Sequence, residues 1–419
     1  MTKYFSSLLI LGILSLSLSA QTKKTGVLVI GNTAAGLAAS IQSARSGVST
    51  IFLTQTPVIN VDLGSEDISH LQRIQNHYKS KLKKKPGEKD STLAFDPNMG
   101  KDQYLKLIRG IVDTTKNLTL TLNTALEKIE KDGKGWEVRL KNGQKIKADV
   151  VVDATEKLSI ASILRIDVNK NMLNSTANTN PFNNKLFRST VATAYSGTDT
   201  SRSVSLISVG SFVPPGAENF IIIPKSNNTI KPVNMSFGQA AGTIAAYCAF
   251  FKTTTKNINV RGVQTELLAY DAELIPLSDV KKSDPNFLAF QRIALSGLLK
   301  PVITKKGERS VIKFDTTSTI SSEQLRLPFK EFYSRSQIWF ADNKKEVMTI
   351  EDAISLFMFT ATRGEELKKE IEEGWKESFS FNSKFDLKRN ITRKEFAILA
   401  DRYLQPYNIK VDFTGNLLS

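Results

Sequence analysis

The sequence contains very little cysteine and histidine. Cys248 is the single cysteine among 419 residues, and His70 and His77 are the two histidines. One thiol excludes a disulfide framework, a cysteine-bound iron–sulfur cluster and a zinc ribbon, because each of these needs several cysteines. Two histidines exclude a mechanism that depends on several histidine ligands. The sequence therefore predicts no metal site, and the apolar neighbours of Cys248 indicate a buried, inert thiol.

Acidic residues are scarce relative to basic ones. The chain has 57 lysines and arginines against 41 aspartates and glutamates, a formal net charge of +16. Such a balance is typical of proteins that meet nucleic acid, an anionic membrane or an acidic polysaccharide. The sequence lacks the aromatic pattern of RNA-binding modules and the ligand spacing of zinc fingers. We therefore predict no nucleic-acid partner, whereas a cell-surface polysaccharide stays open as a partner.

The N-terminal apolar run is too short to span a bilayer comfortably. Leu8–Leu18 follows the positive charge of Lys3 and leads to the small residues Ser19 and Ala20. This order is typical of a secretory signal. We predict that residues 1–20 are a signal peptide, that the mature chain has no transmembrane span, and that the protein is exported to the periplasm or the extracellular space. The alternative is an uncleaved N-terminal anchor.

A strand–turn–helix–strand pattern follows. Gly26–Ile30 is a short run rich in β-branched residues, and Gly31–Gly36 comes directly after it. Leu37–Ser46 has the small residues of a closely packed helix, and Val48–Leu53 is the next strand. This βαβ unit is the context that a dinucleotide-binding glycine fingerprint requires. The pattern predicts a Rossmann-type domain whose helix N-terminus faces the phosphates of a ligand.

Two positions of this fingerprint are degenerate. Gly31 permits the tight turn and Gly36 lets the helix pack closely on the sheet, but Thr33 stands where a middle glycine lets the backbone approach a pyrophosphate. At the end of the second strand, where an acidic residue holds the ribose hydroxyls, the chain has Thr54 and then Gln55. An uncharged contact is weaker than a charged one, so we expect a lower affinity for a dinucleotide than in an intact site.

Later segments complete the pattern. Residues 116–149 are interpreted as strand, turn and strand, and Val150–Glu156 as a buried strand. Gly216–Ile223 is predicted to be another strand, and Ser236–Ala246 a helix opened by small residues. This order, over roughly residues 26–300, resembles the FAD-dependent oxidoreductases, in particular their secreted bacterial branch related to the fumarate-reductase-type flavoproteins.

The resemblance implies an α/β fold with a Rossmann-like, three-layer FAD/NAD(P)-binding domain, an inserted α+β substrate or cap lobe and a mainly helical C-terminal region. It places Val151–Glu156 beside FAD, Leu126 near the adenine, and the start of the helix at Gly238–Gly242 toward the cofactor. The implied domains are 24–56, 112–156 and 205–255 for FAD binding, 57–111 and 157–204 for the inserted cap, and 279–419 for the helical region. The implied cofactor-binding residues are Gly31, Asn32, Thr33, Ala34, Ala35, Gly36, Thr54, Gln55, Leu126, Ala154, Thr155, Gly238, Gln239, Ala240 and Ala241.

Several departures from the family pattern point in one direction. Besides Thr33 and Thr54, the glycine expected after Ala154-Thr155 is replaced by Glu156, and Pro224 stands where a glycine–arginine pair is typical. Together they predict weak FAD binding, altered FAD binding or none.

No catalytic base is assigned from the sequence. The family carries a histidine near Asn98 that is absent here. His70 and His77 lie seven apart on a predicted helix, Asp67–Leu82, so they share one face. Both either point into a site or are ordinary packing and surface residues. The segment 157–210 is rich in serine, threonine and asparagine, which suits either a hydroxylated ligand or an exposed cap.

Helices dominate the C-terminal third. We predict helices at 284–299, 351–359 and 392–403 with Thr349 and Thr392 as N-caps, and a loop followed by a strand at Lys305–Phe314. Residues 391–399 resemble the helix starts of surface-layer-homology-like modules, which implies polysaccharide binding; the alternative is a helical cap packed on the flavin lobe.

Two functional hypotheses follow from the whole sequence. The first is an exported FAD-dependent oxidoreductase that transfers hydride to or from a small or carbohydrate-like substrate. The second is a non-catalytic relative that binds a surface polysaccharide or a partner protein.

Overall fold

The computed structural model describes residues 22–59, 61, 63–81, 100–169, 180–197, 201–225, 230–232 and 234–418. The predicted signal peptide lies outside these residues, as does the segment around Asn98. Within the described ranges, no helix combines the length and the apolar character needed to cross a bilayer.

A large mixed sheet forms the centre of the fold. In the described chain its strand order is β3-β2-β1-β6-β5-β4, and β9 pairs with the second half of β6. The strands β1, β2, β3, β6 and β9 run parallel, whereas β4 and β5 form an antiparallel meander attached to the first half of β6. Their bounds are β1 (Thr22–Ile30), β2 (Thr50–Leu53), β3 (Leu118–Thr121), β4 (Leu126–Asp132), β5 (Gly135–Leu140), β6 (Lys145–Asp153) and β9 (Phe220–Ile222).

Both faces of this sheet are covered, which explains the nearly continuous apolar runs of its parallel strands. Val27 and Val29 of β1 face one core cluster, and Leu28 and Ile30 face the other. Alternation with a period of two thus appears within a run that looks uniformly apolar in sequence. Three layers result: helices, sheet and meander.

Two helices that pack side by side cover the first face. They are α1 (Ala34–Arg45) and α5 (Asn234–Phe250). An ideal Cβ on Gly238 would lie 2.1 Å from the Ala35 carbonyl oxygen, and one on Gly242 would lie 2.4 Å from that of Ala39. Since both contacts advance four residues along each helix, the helices run parallel, and both N-termini lie at the same end of the sheet.

The meander and the short helix α4 (Ser159–Ile163) cover the second face. Trp136 of β5 packs edge-on against Phe220 of β9, with ring centroids 5.6 Å apart, and its indole N–H donates to the Asn219 carbonyl oxygen at 2.9 Å. These contacts attach the meander to the parallel sheet. The buried strand predicted at Val150–Glu156 is not a separate strand but the second half of β6, which ends at Asp153. The strand predicted at Gly216–Ile223 is shorter than expected and comprises Phe220–Ile222.

A smaller antiparallel sheet and a hairpin follow the central domain. The sheet has the order β10-β7-β8 and the hairpin joins β11 to β12. The loop and the strand predicted at Lys305–Phe314 correspond to the turn at Gly307, which has a left-handed φ of +64°, and to β12. The first strand of the hairpin, β11, was not predicted. Their bounds are β7 (Thr190–Ser196), β8 (Ser203–Ser208), β10 (Ile230–Pro232), β11 (Val302–Lys306) and β12 (Arg309–Lys313).

Three C-terminal helices begin with the same capping box. Thr349 and Thr392 are the N-caps that the sequence predicts, and Ser321 is a third that it did not reveal. The segments before these caps converge, since Met348 N donates to Ile320 O and Ile391 N donates to Met348 O. The remaining helices are α2 (Ser65–Lys81), α3 (Lys101–Thr114), α6 (Val260–Ala269), α7 (Phe287–Ser296), α8 (Ser322–Phe332), α9 (Ser336–Asp342), α10 (Ile350–Ala361), α11 (Glu366–Gly374) and α12 (Arg393–Tyr403).

This architecture confirms the predicted α/β fold class, with a Rossmann-like parallel core and additional helices. Cys248 is 1% exposed, and burial raises the pKa of its thiol to about 12, so it is the inert buried thiol that the sequence indicates. The domain boundaries stay a prediction. One continuous apolar cluster includes α1, α5, α7, α10 and α12.

Candidate functional site

The carboxyl ends of three parallel strands define the candidate site. Ile30 of β1 pairs in register with Leu53 of β2 and with Asp153 of β6, so all three strands end at one edge. In open α/β sheets, ligands bind in the crevice outside such an edge. The loops that leave this edge begin at Gly31, Thr54 and Ala154. We call this region the crevice.

A tight turn carries the chain from β1 into α1. Gly31 has a φ of +133°, and an ideal Cβ there would lie 2.3 Å from the Ala154 carbonyl oxygen and 2.6 Å from the Thr155 nitrogen. An ideal Cβ on Gly36 would lie 2.7 Å from the Gly31 carbonyl oxygen. Only glycine fits either position without displacement of the backbone. The structure thus brings Gly31, Gly36, Ala154 and Thr155 together.

Thr33 closes part of this turn with its own side chain. Its hydroxyl donates to the Ala154 carbonyl oxygen at 2.8 Å and accepts from Gly36 N at 3.0 Å. Thr33 is therefore the N-cap of α1, ahead of the buried residues Ala34 and Ala35. The N–H of Gly36, in the first turn of α1, could otherwise bind a phosphate, but it already donates to the Thr33 hydroxyl.

Asn32 ties the turn to the loop after β2. Its Nδ2 donates to Thr56 Oγ1 at 2.8 Å and to the Val58 carbonyl oxygen at 3.2 Å. Its Oδ1 is buried, and no group in the described residues donates to it. Because buried oxygens in native proteins almost always accept a hydrogen bond, this atom fits a donor from outside the described chain.

Thr54 is buried at the predicted ribose position, with 1% of its surface exposed. Its hydroxyl donates to the Thr56 carbonyl oxygen at 3.0 Å, so the group that could contact a ribose is engaged locally. Gln55 is exposed. Leu126 is half-buried at the start of β4, and Thr124, two residues before it, donates its N–H to the Thr54 carbonyl oxygen at 3.2 Å. The ribose position is therefore uncharged and closed.

The end of β6 is organised by a buried carboxylate. Asp153 accepts the hydroxyl of Thr155 at 2.6 Å and the backbone N–H groups of Thr155, Ile160 and Ala161 at 2.9–3.1 Å. Burial raises the pKa of Asp153, and these hydrogen bonds oppose the rise. Thr155 is thus held by Asp153 at the rim of the crevice.

Lys225 is a residue that sequence reasoning missed. Burial lowers the pKa of its ammonium group, and the nearby carboxylates of Asp153 and Glu156 oppose that change. Lys225 therefore brings a partly buried positive charge to the carboxyl end of β9. The available sequence signal was a lysine three residues after the strand that leads back to the crevice.

The predicted flavin-facing residues of α5 have packing contacts. Gly238 meets α1, and Ala240 and Ala241 are fully buried. Gln239 Nε2 donates to Gln42 Oε1 at 3.2 Å and to the Tyr270 carbonyl oxygen at 3.1 Å. These contacts hold α5 on α1, and a cofactor role for the four residues Gly238–Ala241 stays a prediction.

A carboxylate occupies the N-terminus of α5. Met235 N donates to Asp67 Oδ1 at 2.8 Å, and Asn234 Nδ2 lies 3.4 Å from Asp67 Oδ2. Asp67 is 3% exposed, and the partial positive charge of the helix end stabilises its negative charge. The helix end that the resemblance directs at a cofactor is thus capped from within the chain.

His70 is a buried residue of α2. It is 3% exposed, and its Nδ1 lies 2.7 Å from Arg73 Nη2. Burial, then the positive charges of Arg73 and Lys282, lower its pKa well below the usual value near 6.5. His70 is therefore neutral at pH 7. The side chain of His77 lies outside the described residues.

We expect this buried histidine to make the protein less stable in mild acid. Below pH 6.5 the unfolded chain binds a proton at His70 that the folded chain does not, so the free energy of unfolding falls by about 1.4 kcal/mol per pH unit. Urea titrations from pH 7 to pH 5 test this for the wild type and His70→Gln. The variant should show a shallower pH dependence over this window; equal slopes would contradict the assignment.

No protein-family model matches the chain, and no curated protein matches it. Solved structures do. Bacillithiol disulfide reductase Bdr from Staphylococcus aureus is 15% identical over 32% of this chain and 38% of that chain, with a TM-score of 0.23. OxyS anhydrotetracycline hydroxylase from Streptomyces rimosus is 15% identical over 34% of each chain, with a TM-score of 0.26. Thioredoxin reductase from T. acidophilum is 18% identical over 32% of this chain and 36% of that chain, with a TM-score of 0.22. The chain thus spans about a third of the length of these proteins.

Proposed function

We propose that this protein is an exported, FAD-dependent oxidoreductase-like protein that binds FAD weakly in the crevice. The observation that carries the proposal is the turn at Gly31, which approaches the end of β6 closely and leads into the N-terminus of α1. When bound, the flavin supplies hydride transfer, and the proposed substrate is a small or carbohydrate-like molecule.

Three features support an anionic dinucleotide at this place. The tight turn at Gly31 brings the N-terminus of α1 to the carboxyl edge of the sheet, where the helix end favours an anion. Asn32 Oδ1 is a buried acceptor that a ligand hydroxyl can satisfy. Lys225 adds a positive charge that can pair with a phosphate at the rim.

Three other features support weak binding. Thr33 uses a first-turn N–H of α1, Thr54 offers no carboxylate to the ribose, and Asp67 caps the N-terminus of α5. Each group must be displaced or left unused when FAD binds, so part of the binding free energy is lost. The residues therefore fit the pyrophosphate portion of FAD better than its two ends.

The visible spectrum of the purified mature chain tests the proposal. After incubation with excess FAD, the wild type should retain flavin absorbance through one desalting column and lose it on further dilution. Lys225→Met should retain several-fold less flavin, because a phosphate loses its charged partner, whereas Lys300→Met, an exposed lysine elsewhere, should match the wild type.

A protein that stays colourless with excess FAD would contradict the proposal. The remaining hypothesis would then be the non-catalytic relative that binds a surface polysaccharide or a partner protein. Equal retention by Lys225→Met and Lys300→Met would remove Lys225 from the site. Cell fractionation of the full-length chain tests export.

A further inference from the structure

The base of the central sheet lies opposite the crevice, where the parallel strands begin. Helix α5 has 17 residues, so it runs for about 25 Å from the crevice edge toward this base. Its last turn meets the start of β1, since an ideal Cβ on Gly26 would lie 3.4 Å from the Ala249 Cβ. Lys252, just after α5, reaches the Asp149 carboxylate of β6 at 2.9 Å. The end of α5 and the early parts of β1 and β6 therefore share one surface.

A cavity of about 700 Å³ opens on this base, and lysine is the commonest charged residue of its walls. Phe250 forms an apolar wall beside the charged ones, and the neighbouring Phe251 continues the apolar surface outside the cavity. We call these two phenylalanines and the charged walls the basal face. The charged walls are Lys24, Lys134, Lys147, Lys252, Asp132 and Asp149.

The basal face carries more positive charge than its own carboxylates neutralise. Each of its two aspartates is paired with a lysine, at 2.8 Å for Lys147 and at 2.9 Å for Lys252. Lys24 and Lys134 are exposed, and neither pairs with a carboxylate among the described residues. Lys24 also lies beside Lys147 in the parallel register of β1 and β6, so both side chains leave the same side of the sheet. An anionic partner would offset this excess of charge.

Two adjacent aromatic rings are exposed on the same face. Phe250 and Phe251 are 62% and 60% exposed, although phenylalanine is among the residue types most often buried. Their ring centroids lie 5.1 Å apart, and the Phe251 ring lies 4.7 Å from that of Tyr247. The three rings form a continuous apolar surface at the C-terminal end of α5. Exposed apolar surface of this kind marks contact with a protein or with a membrane.

Lysine beside exposed rings favours a lipid surface over a protein. Protein interfaces are depleted of lysine, whereas the basal face is rich in it. A second copy of this chain, with a net charge of +16, would also bring like charges together. Peripheral membrane proteins combine the two features, because lysines attract anionic headgroups and phenylalanines enter the boundary between headgroups and acyl chains.

The path of the chain points to the same partner. Strand β1 begins at Thr22, two residues before Lys24, and the apolar run Leu8–Leu18 precedes it in the sequence. Thr22 follows Leu18 by four residues, and four residues of extended chain span at most about 14 Å. As an anchor, or as a signal before cleavage, this run brings the base of the fold closest to a bilayer.

We propose that the basal face docks the protein on an anionic lipid bilayer. Phe250 and Phe251 insert among the headgroups, and Lys24 and Lys134 lie against lipid phosphates. The crevice, at the other end of α5, then faces away from the bilayer. This contact is peripheral and does not depend on FAD.

Flotation on a density gradient tests the proposal with the mature chain, which lacks Leu8–Leu18 and so cannot bind through that run. The wild type should float with vesicles of phosphatidylglycerol and phosphatidylcholine in equal parts, and much less with phosphatidylcholine alone. Added salt should weaken the binding, because it screens exposed charges.

Two double variants separate the contributions of the rings and the lysines. Phe250→Ala/Phe251→Ala should bind the anionic vesicles about 10-fold more weakly, because the apolar rings no longer insert. Lys24→Gln/Lys134→Gln should also lose about 10-fold, because two charges near the headgroups are removed. All four side chains are exposed, so both variants are expected to fold.

Matched controls replace the same residue types, or similar ones, elsewhere on the surface. Leu327→Ala/Ile338→Ala removes apolar side chains of α8 and α9 that are 60% and 61% exposed. Lys300→Gln/Lys330→Gln removes two exposed lysines that do not line the basal cavity. Both control variants should float like the wild type.

Four results would overturn the proposal. The wild type could fail to float with anionic vesicles, or float equally well with neutral ones. Binding that needs the lysines but not the rings would indicate a general attraction to polyanions. Self-association that the phenylalanine variant abolishes, without flotation of the wild type, would assign the face to a second copy of the chain. Flavin retention is measured separately, so failure of one proposal does not decide the other.

Discussion

Replacing Gly238 and Gly242 together with alanine is expected to lower the free energy of unfolding by about 2–6 kcal/mol, because overpacking costs about 1–3 kcal/mol at each site. The added methyl groups would lie 2.1 Å and 2.4 Å from carbonyl oxygens of α1. Those oxygens belong to helix backbone and cannot move as the end of a flexible side chain can. The helices must separate, and apolar contacts along the face that covers the sheet are lost.

Gly110→Ala is the matched control for this pair. Gly110 lies within helix α3, and an ideal Cβ there would meet nothing within 4 Å. Alanine at an open helical position should stabilise the protein by about 0.5–1 kcal/mol. The midpoints of urea unfolding of the wild type, the double variant and Gly110→Ala test both the expected destabilisation and the expected stabilisation. A double variant as stable as the wild type would contradict the close helix contact.

Gly238 and Gly242 also help to explain why the fold could be predicted from the sequence. Small residues at four-residue spacing in both α1 and α5 reflect how closely the two helices approach, and a β-branched run before Gly31 reflects a buried parallel strand. Strand, turn and helix signals of this kind are local. They predicted the order of most elements, but they missed strand β11 (Val302–Lys306), which ends in the exposed lysines Lys305 and Lys306.

The contacts that shape the crevice could not be predicted in the same way. Thr33 was recognised as an anomaly, but its partner, the Ala154 carbonyl oxygen, is 121 residues away. The hydrogen bond of Asp67 to Met235 N spans 168 residues. Lys225 gains its electrostatic environment from β6, which is distant in sequence. Such partners depend on tertiary packing, and the sequence pattern indicates only that a family position has changed.

The other large effect concerns Thr33 and Thr54, where we expect the change to glycine and glutamate to strengthen FAD binding. Thr33→Gly releases the Gly36 N–H from the Thr33 hydroxyl, so that it can bond a phosphate oxygen. A hydrogen bond to a charged group contributes about 1.5–3 kcal/mol, which corresponds to about 10- to 100-fold in the dissociation constant. Loss of the threonine cap costs only a few tenths of a kcal/mol when glycine replaces it.

Thr54→Glu acts at the ribose end. It is expected to strengthen FAD binding but to destabilise the FAD-free protein. The new carboxylate starts from a buried position and cannot make the hydrogen bond that the hydroxyl makes to the Thr56 carbonyl oxygen. An unpaired buried charge is unfavourable, so the loop held by Asn32 must open or the carboxyl must be protonated. The ribose hydroxyls of FAD provide the missing donors. FAD should therefore raise the melting temperature of the double variant more than that of the wild type.

Flavin fluorescence titration of the wild type, Thr33→Gly and the double variant measures the affinities, and thermal unfolding with and without FAD measures the coupling. We expect the dissociation constant to fall about 10-fold for the single variant and about 100-fold for the double variant. Thr119→Glu introduces the same charge on the neighbouring strand β3, at an exposed position away from the strand end, and should leave the affinity unchanged. Unchanged affinity in the double variant would mean that the crevice is closed by more than these two side chains, with the carboxylate of Asp67 at the N-terminus of α5 as the next group to replace.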